Sequence, residues 1–208
     1  MKAVSQPGKQ AGLRRRKIDA RDPDLGKSKL ARPVAHLGQQ ERTLQLTAID
    51  HHPPIVGAPV VRTWRSEADT QEFATALAAR PGIADAFITL HGELGAGKTT
   101  FVRHLLRAMG VAGRIKSPTY AVVEPHEAAG ARPVWHFDFY RFDDPREWED
   151  AGFRDVFAGP GLKLAEWPEK AGAALPLADL AIHLEPQADE SRIVTLRAQT
   201  PRGRELLA

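Results

Sequence analysis

The segment at residues 91–100, His-Gly-Glu-Leu-Gly-Ala-Gly-Lys-Thr-Thr, constrains the fold more than any other part of the chain. It fits the pattern G-x-x-x-x-G-K-[ST], the P-loop. Glycines allow a tight turn in which successive backbone N–H groups point at one anion, Lys98 adds a positive charge, and the Thr99 hydroxyl can bind Mg²⁺. These residue types predict a site for nucleotide phosphates; the alternative is a coincidental glycine-rich turn.

The flanking segments favour the phosphate site. Residues 86–90, Ala-Phe-Ile-Thr-Leu, are short, apolar and typical of a buried strand. After the loop, apolar residues recur at helical spacing: Phe101, Val102, Leu105, Leu106 and Met109. The loop therefore lies between a strand and the N-terminus of an amphipathic helix, where backbone donors and the helix dipole favour an anion.

Composition indicates a globular protein. The 208 residues, of which 42% are hydrophobic and 26% charged, suffice for one ordinary domain and an appendage. No apolar run approaches the roughly 18 residues of a membrane span, and the N-terminus lacks a signal-peptide pattern, so we expect a cytoplasmic protein. The lack of cysteine excludes a disulfide framework, a thiolate metal site and a cysteine nucleophile.

Charge divides the chain into two parts. Residues 1–58 carry 11 Lys/Arg and 5 Asp/Glu, whereas the remaining 150 residues carry 18 and 21. We interpret 1–58, which is rich in Pro, Gly and Gln, as a disordered basic N-terminal extension. Its run at 14–17 could contact RNA or an acidic partner; the alternatives are a solvated tail and a true start further downstream. The acidic remainder is a poor candidate for binding nucleic acid by itself.

The ordered domain is predicted over residues 59–200. Ser66 and Asp69 form a capping-box pattern that starts a helix, and the Pro-Gly pair at 81–82 ends it. A short helix is expected at 144–148, two closing strands at 179–185 and 193–196, and a patternless tail at 201–208. Strands that alternate with helices around a P-loop, followed by a β-rich portion, predict a three-layer α/β/α P-loop NTPase fold with a mixed β-sheet.

Two carboxylates are candidates for the chemistry. Asp138 interrupts the apolar strand at 134–141, and Glu166 ends the apolar strand at 162–166. A P-loop enzyme needs an acid near the metal, at the end of a buried strand, to hold Mg²⁺ or orient water. Either residue alone could be a surface carboxylate at a strand end, and the pattern leaves open which one contacts a metal.

The segment 116–120, Lys-Ser-Pro-Thr-Tyr, carries two hydroxyls around a proline. Because proline favours an extended turn, Ser117 and Thr119 would be presented at the lip of a strand. A simple turn into a strand explains the same pattern.

Together the motifs resemble a known family, TsaE, formerly YjeE. The matching segments are 92–101, 116–120, 136–141 (His-Phe-Asp-Phe-Tyr-Arg) and 166–168 (Glu-Trp-Pro), and the resemblance covers about residues 60–198. It implies a bacterial ATPase, with ATP and Mg²⁺ as cofactors, required to form threonylcarbamoyladenosine in tRNA. Its implied partners are TsaD and TsaB, whose complex would be reset by ATP hydrolysis; tRNA would be reached only through that complex, and no membrane is involved.

The resemblance also implies roles for individual residues. Lys98, Asp138 and Glu166 would be catalytic, with Thr99 and Glu166 at Mg²⁺. Ser117 and Thr119 would form a switch-like loop. The residues expected at the nucleotide are Thr70 (near the base), Gly95, Ala96, Gly97, Lys98, Thr99, Thr100, Ser117, Thr119 and Trp167.

The chain departs from the family pattern in three places. Glu93 replaces a more usual Asp and keeps its charge, His126 stands where Tyr is frequent, and the extension has no counterpart in the short members of the family. No arginine is unambiguously placed to stabilise the transition state: Arg141 follows Asp138 closely but could pair structurally. We therefore expect slow hydrolysis by the isolated protein and a site that a partner completes.

Two other functions remain open from sequence. A small-molecule kinase has a similar size, although the chain shows no arginine-rich lid segment. A nucleotide-gated scaffold would bind ATP and its partners without releasing phosphate.

Overall fold

A computed structural model describes residues 57–142, 144, 148 and 151–208. The predicted extension therefore lies outside the described residues up to position 56. So does the helix predicted at 144–148, apart from its two end positions.

The described residues contain seven strands in one sheet, in the order β1-β7-β6-β2-β5-β4-β3. Strands β6, β2, β5 and β4 run parallel, whereas β1, β7 and β3 pair antiparallel to their neighbours. This arrangement confirms the predicted mixed sheet. The strands are Val60–Trp64 (β1), Phe87–His91 (β2), Val123–Ala128 (β3), Arg132–Asp138 (β4), Leu162–Glu166 (β5), Leu180–Pro186 (β6) and Arg192–Ala198 (β7).

Five α-helices and two 3₁₀ turns have defined bounds in the described part of the chain, and all but the last helix lie between strands. The α-helices are Glu67–Ala78 (α1), Lys98–Ala108 (α2), Phe153–Ala158 (α3), Pro168–Ala171 (α4) and Pro201–Leu207 (α5). The 3₁₀ turns are Ile83–Asp85 and Gly172–Ala174.

The sheet separates two hydrophobic cores. Side chains alternate along a strand, so Ile88 and Leu90 of β2 face one core, which also contains α2, while Phe87 faces the other. That second core contains Phe137 of β4 and Phe153 of α3. Because helices cover both faces of the sheet, the predicted three-layer α/β/α architecture is confirmed.

The helix boundaries follow the sequence signals. The Ser66 hydroxyl accepts a hydrogen bond from the backbone N–H of Asp69, and the Asp69 carboxylate accepts one from Ser66 N–H at 3.1 Å. This pair is the predicted capping box. Helix α2 ends at Ala108, and Gly110 follows with φ 87°, a left-handed conformation that glycine adopts without strain.

The C-terminal residues show a helix for which the sequence carries no clear pattern. Thr200 caps α5 by accepting from Gly203 N–H at 3.1 Å. Its hydroxyl also donates to the Asp179 carboxylate, which accepts further hydrogen bonds from Phe87 N–H at 2.9 Å and from Arg202 at 3.2 Å. Leu206 is buried in the core. Seven residues are too short for hydrophobic periodicity to be recognised, which explains why 201–208 was predicted as a tail.

Among the residues that the structure describes, no helix has both the length and the apolar character needed to cross a bilayer.

Replacement of Gly203 by alanine tests the attachment of α5. A Cβ at this position would overlap the backbone carbonyl oxygen of Asp179, which cannot move without disturbing the sheet. We expect G203A to lower the free energy of unfolding by about 1–3 kcal/mol, despite the higher helix propensity of alanine. Urea denaturation measures the change, with G57A as control because a Cβ there meets no atom within 4 Å. Equal midpoints for G203A and the wild type would contradict the packing.

Candidate nucleotide-binding site

Three neighbouring parallel strands end at the same edge of the sheet. Leu90 of β2 pairs in register with Glu166 of β5, and Glu166 pairs in register with Asp138 of β4. The P-loop follows β2 at this edge. In open α/β sheets this carboxyl edge is where ligands bind, because the loops that follow the strands converge there.

The P-loop adopts a glycine-dependent turn. Gly92, Gly95 and Gly97 have φ angles of 135°, 83° and 106°, a region that other residues rarely adopt. At Gly92 a Cβ would also overlap the carbonyl oxygen of Leu184 on β6. The loop therefore packs tightly against β6. Helix α2 begins at the end of the loop, at Lys98.

Lys98 is buried under the loop. Its ammonium donates to the carbonyl oxygens of Gly92 at 2.6 Å and Glu93 at 2.9 Å, and it lies 3.9 Å from the ring centroid of Trp167. Burial lowers the pKa of Lys98, and the nearby Glu166 carboxylate opposes that effect. An ammonium has three donors, so the two bonds within the loop leave capacity for a phosphate oxygen.

Glu166 is held between two side chains. Both of its carboxylate oxygens lie 2.9 Å from the Thr99 hydroxyl, and Oε1 also lies 2.9 Å from Nε2 of His136. The carboxylate is only 2% exposed. The described residues contain no cluster of three or more His, Cys, Asp or Glu arranged for a metal. Thr99 and Glu166 could nevertheless hold Mg²⁺ together with phosphate oxygens and water, since Mg²⁺ is usually bound through one or two protein carboxylates.

Asp138 is bound to the segment that carries the Ser-Pro-Thr motif. Its Oδ2 accepts hydrogen bonds from the Ser117 hydroxyl and, at 2.6 Å, from the Thr119 hydroxyl. Its backbone N–H donates to the carbonyl of Val122 at 2.9 Å. Val122 has φ 67°, which is strained for a β-branched residue. The segment 117–122 is thus attached to Asp138 at both ends.

The side chains around the P-loop enclose a pocket of about 290 Å³. Of the predicted site residues, all but two line it, and Leu94 and Tyr140 line it in addition. The lining residues are Leu94, Gly95, Gly97, Lys98, Thr99, Thr100, Ser117, Thr119, Asp138, Tyr140, Glu166 and Trp167.

The two exceptions lie next to the pocket. Ala96 is fully buried, so its side chain belongs to the core rather than to the cleft. Thr70 is buried on α1 and lines a separate cavity of about 70 Å³, together with Gly97 and Thr100. Its predicted contact with the base stays a prediction.

Tyr140 and Leu94 received no site role from the sequence. The Tyr140 ring packs against Trp167, with centroids 5.1 Å apart. Its place in the 136–141 motif is the sequence feature that could have identified Tyr140 as a site residue. Leu94 occupies a variable position of the P-loop pattern and is 74% exposed, so no sequence signal marks it.

Arg141 points to another aromatic side chain. Its guanidinium lies 4.2 Å from the ring centroid of Tyr120, which is 86% exposed. Among the described residues that line the pocket, none is arginine.

Comparison with known proteins identifies the family. A family model described as "Threonylcarbamoyl adenosine biosynthesis protein TsaE" matches residues 64–194. The chain belongs to the TsaE family. This confirms the resemblance seen in the motifs and assigns the chain to tRNA threonylcarbamoyladenosine biosynthesis.

Individual relatives agree with the family model. The tRNA threonylcarbamoyladenosine biosynthesis protein TsaE of Haemophilus influenzae is 42% identical over 121 residues, which is 58% of this chain and 75% of the relative. The protein of the same name from Bacillus subtilis is 36% identical over 124 residues, covering 60% and 75%. The crystal structure of Bacillus subtilis YdiB matches with a TM-score of 0.60 at 26% identity, covering 74% of this chain and 93% of that one.

A pair of histidines supports the strand that leads into the P-loop. His91 of β2 and His183 of β6 are paired in register, and their rings stack with centroids 4.2 Å apart. His91 Nδ1 lies 3.5 Å from the Glu169 carboxylate on α4. Burial by itself would raise the pKa of Glu169, but the hydrogen bond with His91, a backbone hydrogen bond and the nearby charges of His91 and Lys98 together lower it, and the net shift is downward. These contacts connect α4 to the end of β2.

We expect His183 to make folding sensitive to mild acid. Burial lowers the pKa of His183 below 6.5, and the neighbouring His91 lowers it further. The unfolded chain therefore binds a proton at this residue more readily, so stability falls as the pH drops below about 6.5. The contribution of Glu169 is lost only at lower pH, below its ordinary value of 4.5.

We expect H183Q to reduce this acid sensitivity. Urea midpoints measured from pH 7.5 to 5 should fall less steeply for H183Q than for the wild type, because glutamine does not titrate. Comparison of the slopes removes any constant loss of stability that the substitution causes at neutral pH. Parallel slopes would show that His183 does not contribute.

Proposed function

We propose that this protein binds ATP with Mg²⁺ in the pocket, hydrolyses the ATP, and so sustains turnover of the TsaD–TsaB complex in threonylcarbamoyladenosine formation. The observation that supports this most is the convergence of the P-loop, Glu166 and Asp138 at one edge of the sheet. Family membership supports the assignment to the pathway, and the residues that line the pocket support ATP binding and hydrolysis.

In this proposal the loop and the first turn of α2 bind the phosphates. Backbone N–H groups and the helix N-terminus favour the negative charge, and Lys98 adds a point charge. Thr99 and Glu166 would hold Mg²⁺, whose charge would offset that of the phosphates. The 2.9 Å contacts between the Thr99 hydroxyl and the Glu166 carboxylate favour Glu166 over Asp138 as the acid nearest the metal.

Asp138 is the residue that we propose orients the attacking water. Its carboxylate lines the pocket, is 3% exposed and belongs to the strand next to that of Glu166. Ser117 and Thr119 fix its Oδ2, and Tyr140 N–H donates to its Oδ1 at 3.0 Å. Because the hydroxyls belong to the segment 117–122, a nucleotide that displaces this segment would also change the orientation of Asp138.

The partner would complete the site. An arginine that stabilises the transition state contributes about 10³ to 10⁵ in rate, and none lines the pocket among the described residues. Leu94 and Tyr140 line the pocket and are exposed. Tyr120, which directly follows the Ser-Pro-Thr motif, is also exposed. Exposed apolar groups at the mouth of a pocket are typical of a surface that another protein covers.

Phosphate release in the presence of the partners tests this proposal. We expect the purified protein to hydrolyse Mg·ATP slowly and TsaD with TsaB from the same organism to raise the rate by about tenfold or more, since a partner-supplied cation can add up to 10⁵. An equal rate in a mixture shown by gel filtration to contain the complex would contradict partner activation. No hydrolysis in either state, with ATP bound, would support the scaffold instead.

Two substitutions separate binding from hydrolysis. K98A should greatly weaken ATP binding in calorimetry because it removes the phosphate-binding charge. D138A should keep ATP binding and slow phosphate release by about 100-fold or more, the range for loss of a positioned acid–base group. D155A removes an exposed carboxylate on α3, away from the pocket, and serves as the control. Normal hydrolysis by D138A would refute the role given to Asp138.

A further inference from the structure

His136 is a fully buried polar residue of β4. Side chains alternate along β4, so Val134, His136 and Asp138 share one face of the sheet, and Val134 belongs to the core that contains α2. Val134 and His136 are both fully buried, and His136 pairs in register with the apolar Leu164. An apolar side chain would satisfy packing here, so the imidazole needs another explanation.

The contact with Glu166 provides this explanation, because a hydrogen bond from His136 orients the Glu166 carboxylate. His136 Nε2 lies 2.9 Å from Glu166 Oε1, and both side chains are almost fully buried. An ionised carboxylate only accepts hydrogen bonds, so Nε2 carries the proton and donates. The Thr99 hydroxyl lies 2.9 Å from both oxygens but has a single hydrogen to donate. The donor from His136 therefore fixes Oε1 and sets the rotation of the carboxylate relative to Thr99.

A second imidazole, that of His126, stacks beside His136. His136 Nδ1 and His126 Nε2 are both buried, and neither has a hydrogen-bond partner. His126 lies on β3, diagonally across from His136: it pairs with Val134, while Glu124 pairs with His136. The two rings are 28° from parallel, with centroids 6.5 Å apart. Two buried nitrogens without partners, on stacked rings with centroids 6.5 Å apart, are polar groups of the kind that an internal water satisfies.

The charge state of His126 suits such a water. Burial lowers the pKa of His126, opposed by the nearby Glu124 carboxylate. A neutral imidazole offers one donor and one acceptor nitrogen. One water can donate to Nδ1 of His136 and bond to Nε2 of His126 in either tautomer.

We propose that His136 is a positioning residue for Glu166 and that one buried water joins His136 Nδ1 to His126 Nε2. The Glu166 carboxylate is then held by His136 of β4, and His136 is held through the water by His126 of β3, the edge strand of the sheet. A hydrogen bond that orients a metal ligand typically contributes 10-fold to 100-fold to metal affinity or activity. The metal part of this inference rests on the proposed function, whereas the hydrogen-bond geometry does not.

Crystal structures of the nucleotide-free protein test the geometry directly. In the wild type we expect a water within hydrogen-bond distance of both nitrogens and the Glu166 carboxylate on Thr99. In H136L the carboxylate should turn away from Thr99, and in H126F, which keeps a ring of similar size, the water should be lost. A wild-type structure at high resolution without the water, or a Glu166 that keeps its position in H136L, would overturn the proposal.

Calorimetry of ATP binding tests the consequence for Mg²⁺. The Mg²⁺ concentration that half-saturates the enhancement of ATP binding should rise by about 10-fold to 100-fold in H136L, while ATP binding in EDTA stays within about twofold of the wild type. H136Q, whose amide N–H can replace the Nε2 donor, should recover most of the loss, and H126F should show a smaller rise. A purely structural role would instead weaken ATP binding in EDTA and would not be rescued by glutamine.

The two experiments separate this inference from the proposed function. A wild-type protein that binds no ATP would refute the proposed function, and the crystal structures would still decide the positioning role. A wild type that binds Mg·ATP beside an H136L variant with unchanged Mg²⁺ dependence would refute only the positioning role. H126F alters a half-buried edge residue and so provides a test if H136L does not fold.

Discussion

The parallel register of β2, β5 and β4 is the constraint on which the site depends. It places Leu90, Glu166 and Asp138 side by side, so that the P-loop and two carboxylates emerge together. A slip of one residue in β5 would turn Glu166 toward the core that contains Ala165 and Phe137. The hydrophobic alternation that fills the two cores therefore also determines which side chains reach the pocket.

Buried polar groups at this edge are connected to one another. Lys98, His136, Asp138 and Glu166 are each less than 5% exposed, and each has a hydrogen-bond partner in the loop, the opposite strand or the segment 117–122. Burial of a charge without a partner is costly, so the contacts reinforce a single arrangement of these side chains.

Two of the four non-glycine residues with positive φ in the described part of the chain lie beside the same carboxylates. Val122, whose carbonyl accepts from Asp138 N–H, has φ 67°, and Trp167, which follows Glu166, has φ 56°. Conformations of this kind cost about 1–3 kcal/mol each and persist where the surroundings over-determine them. Trp167 is held by Lys98 and Tyr140, and Val122 by its bonds to Pro118 and Asp138. The strained residues thus lie in the two segments that approach Asp138 and follow Glu166.

The P-loop, the capping box of α1, the strand that ends at Glu166, and the family can all be recognised in the sequence, because each is a local pattern of residue types. The sequence placed Asp138 inside a strand at 134–141, whereas β4 ends at Asp138. It did not show α5, which is too short for a periodic signal, or the separation of Thr70 from the pocket. Two contacts are visible only in the tertiary structure: that of Thr99 with Glu166 rather than Asp138, and that of His136 with Glu166. The Thr99–Glu166 contact joins residues 67 positions apart. Such contacts follow from strand order and register, and those are set by the packing of whole cores rather than by the residues that make the contact.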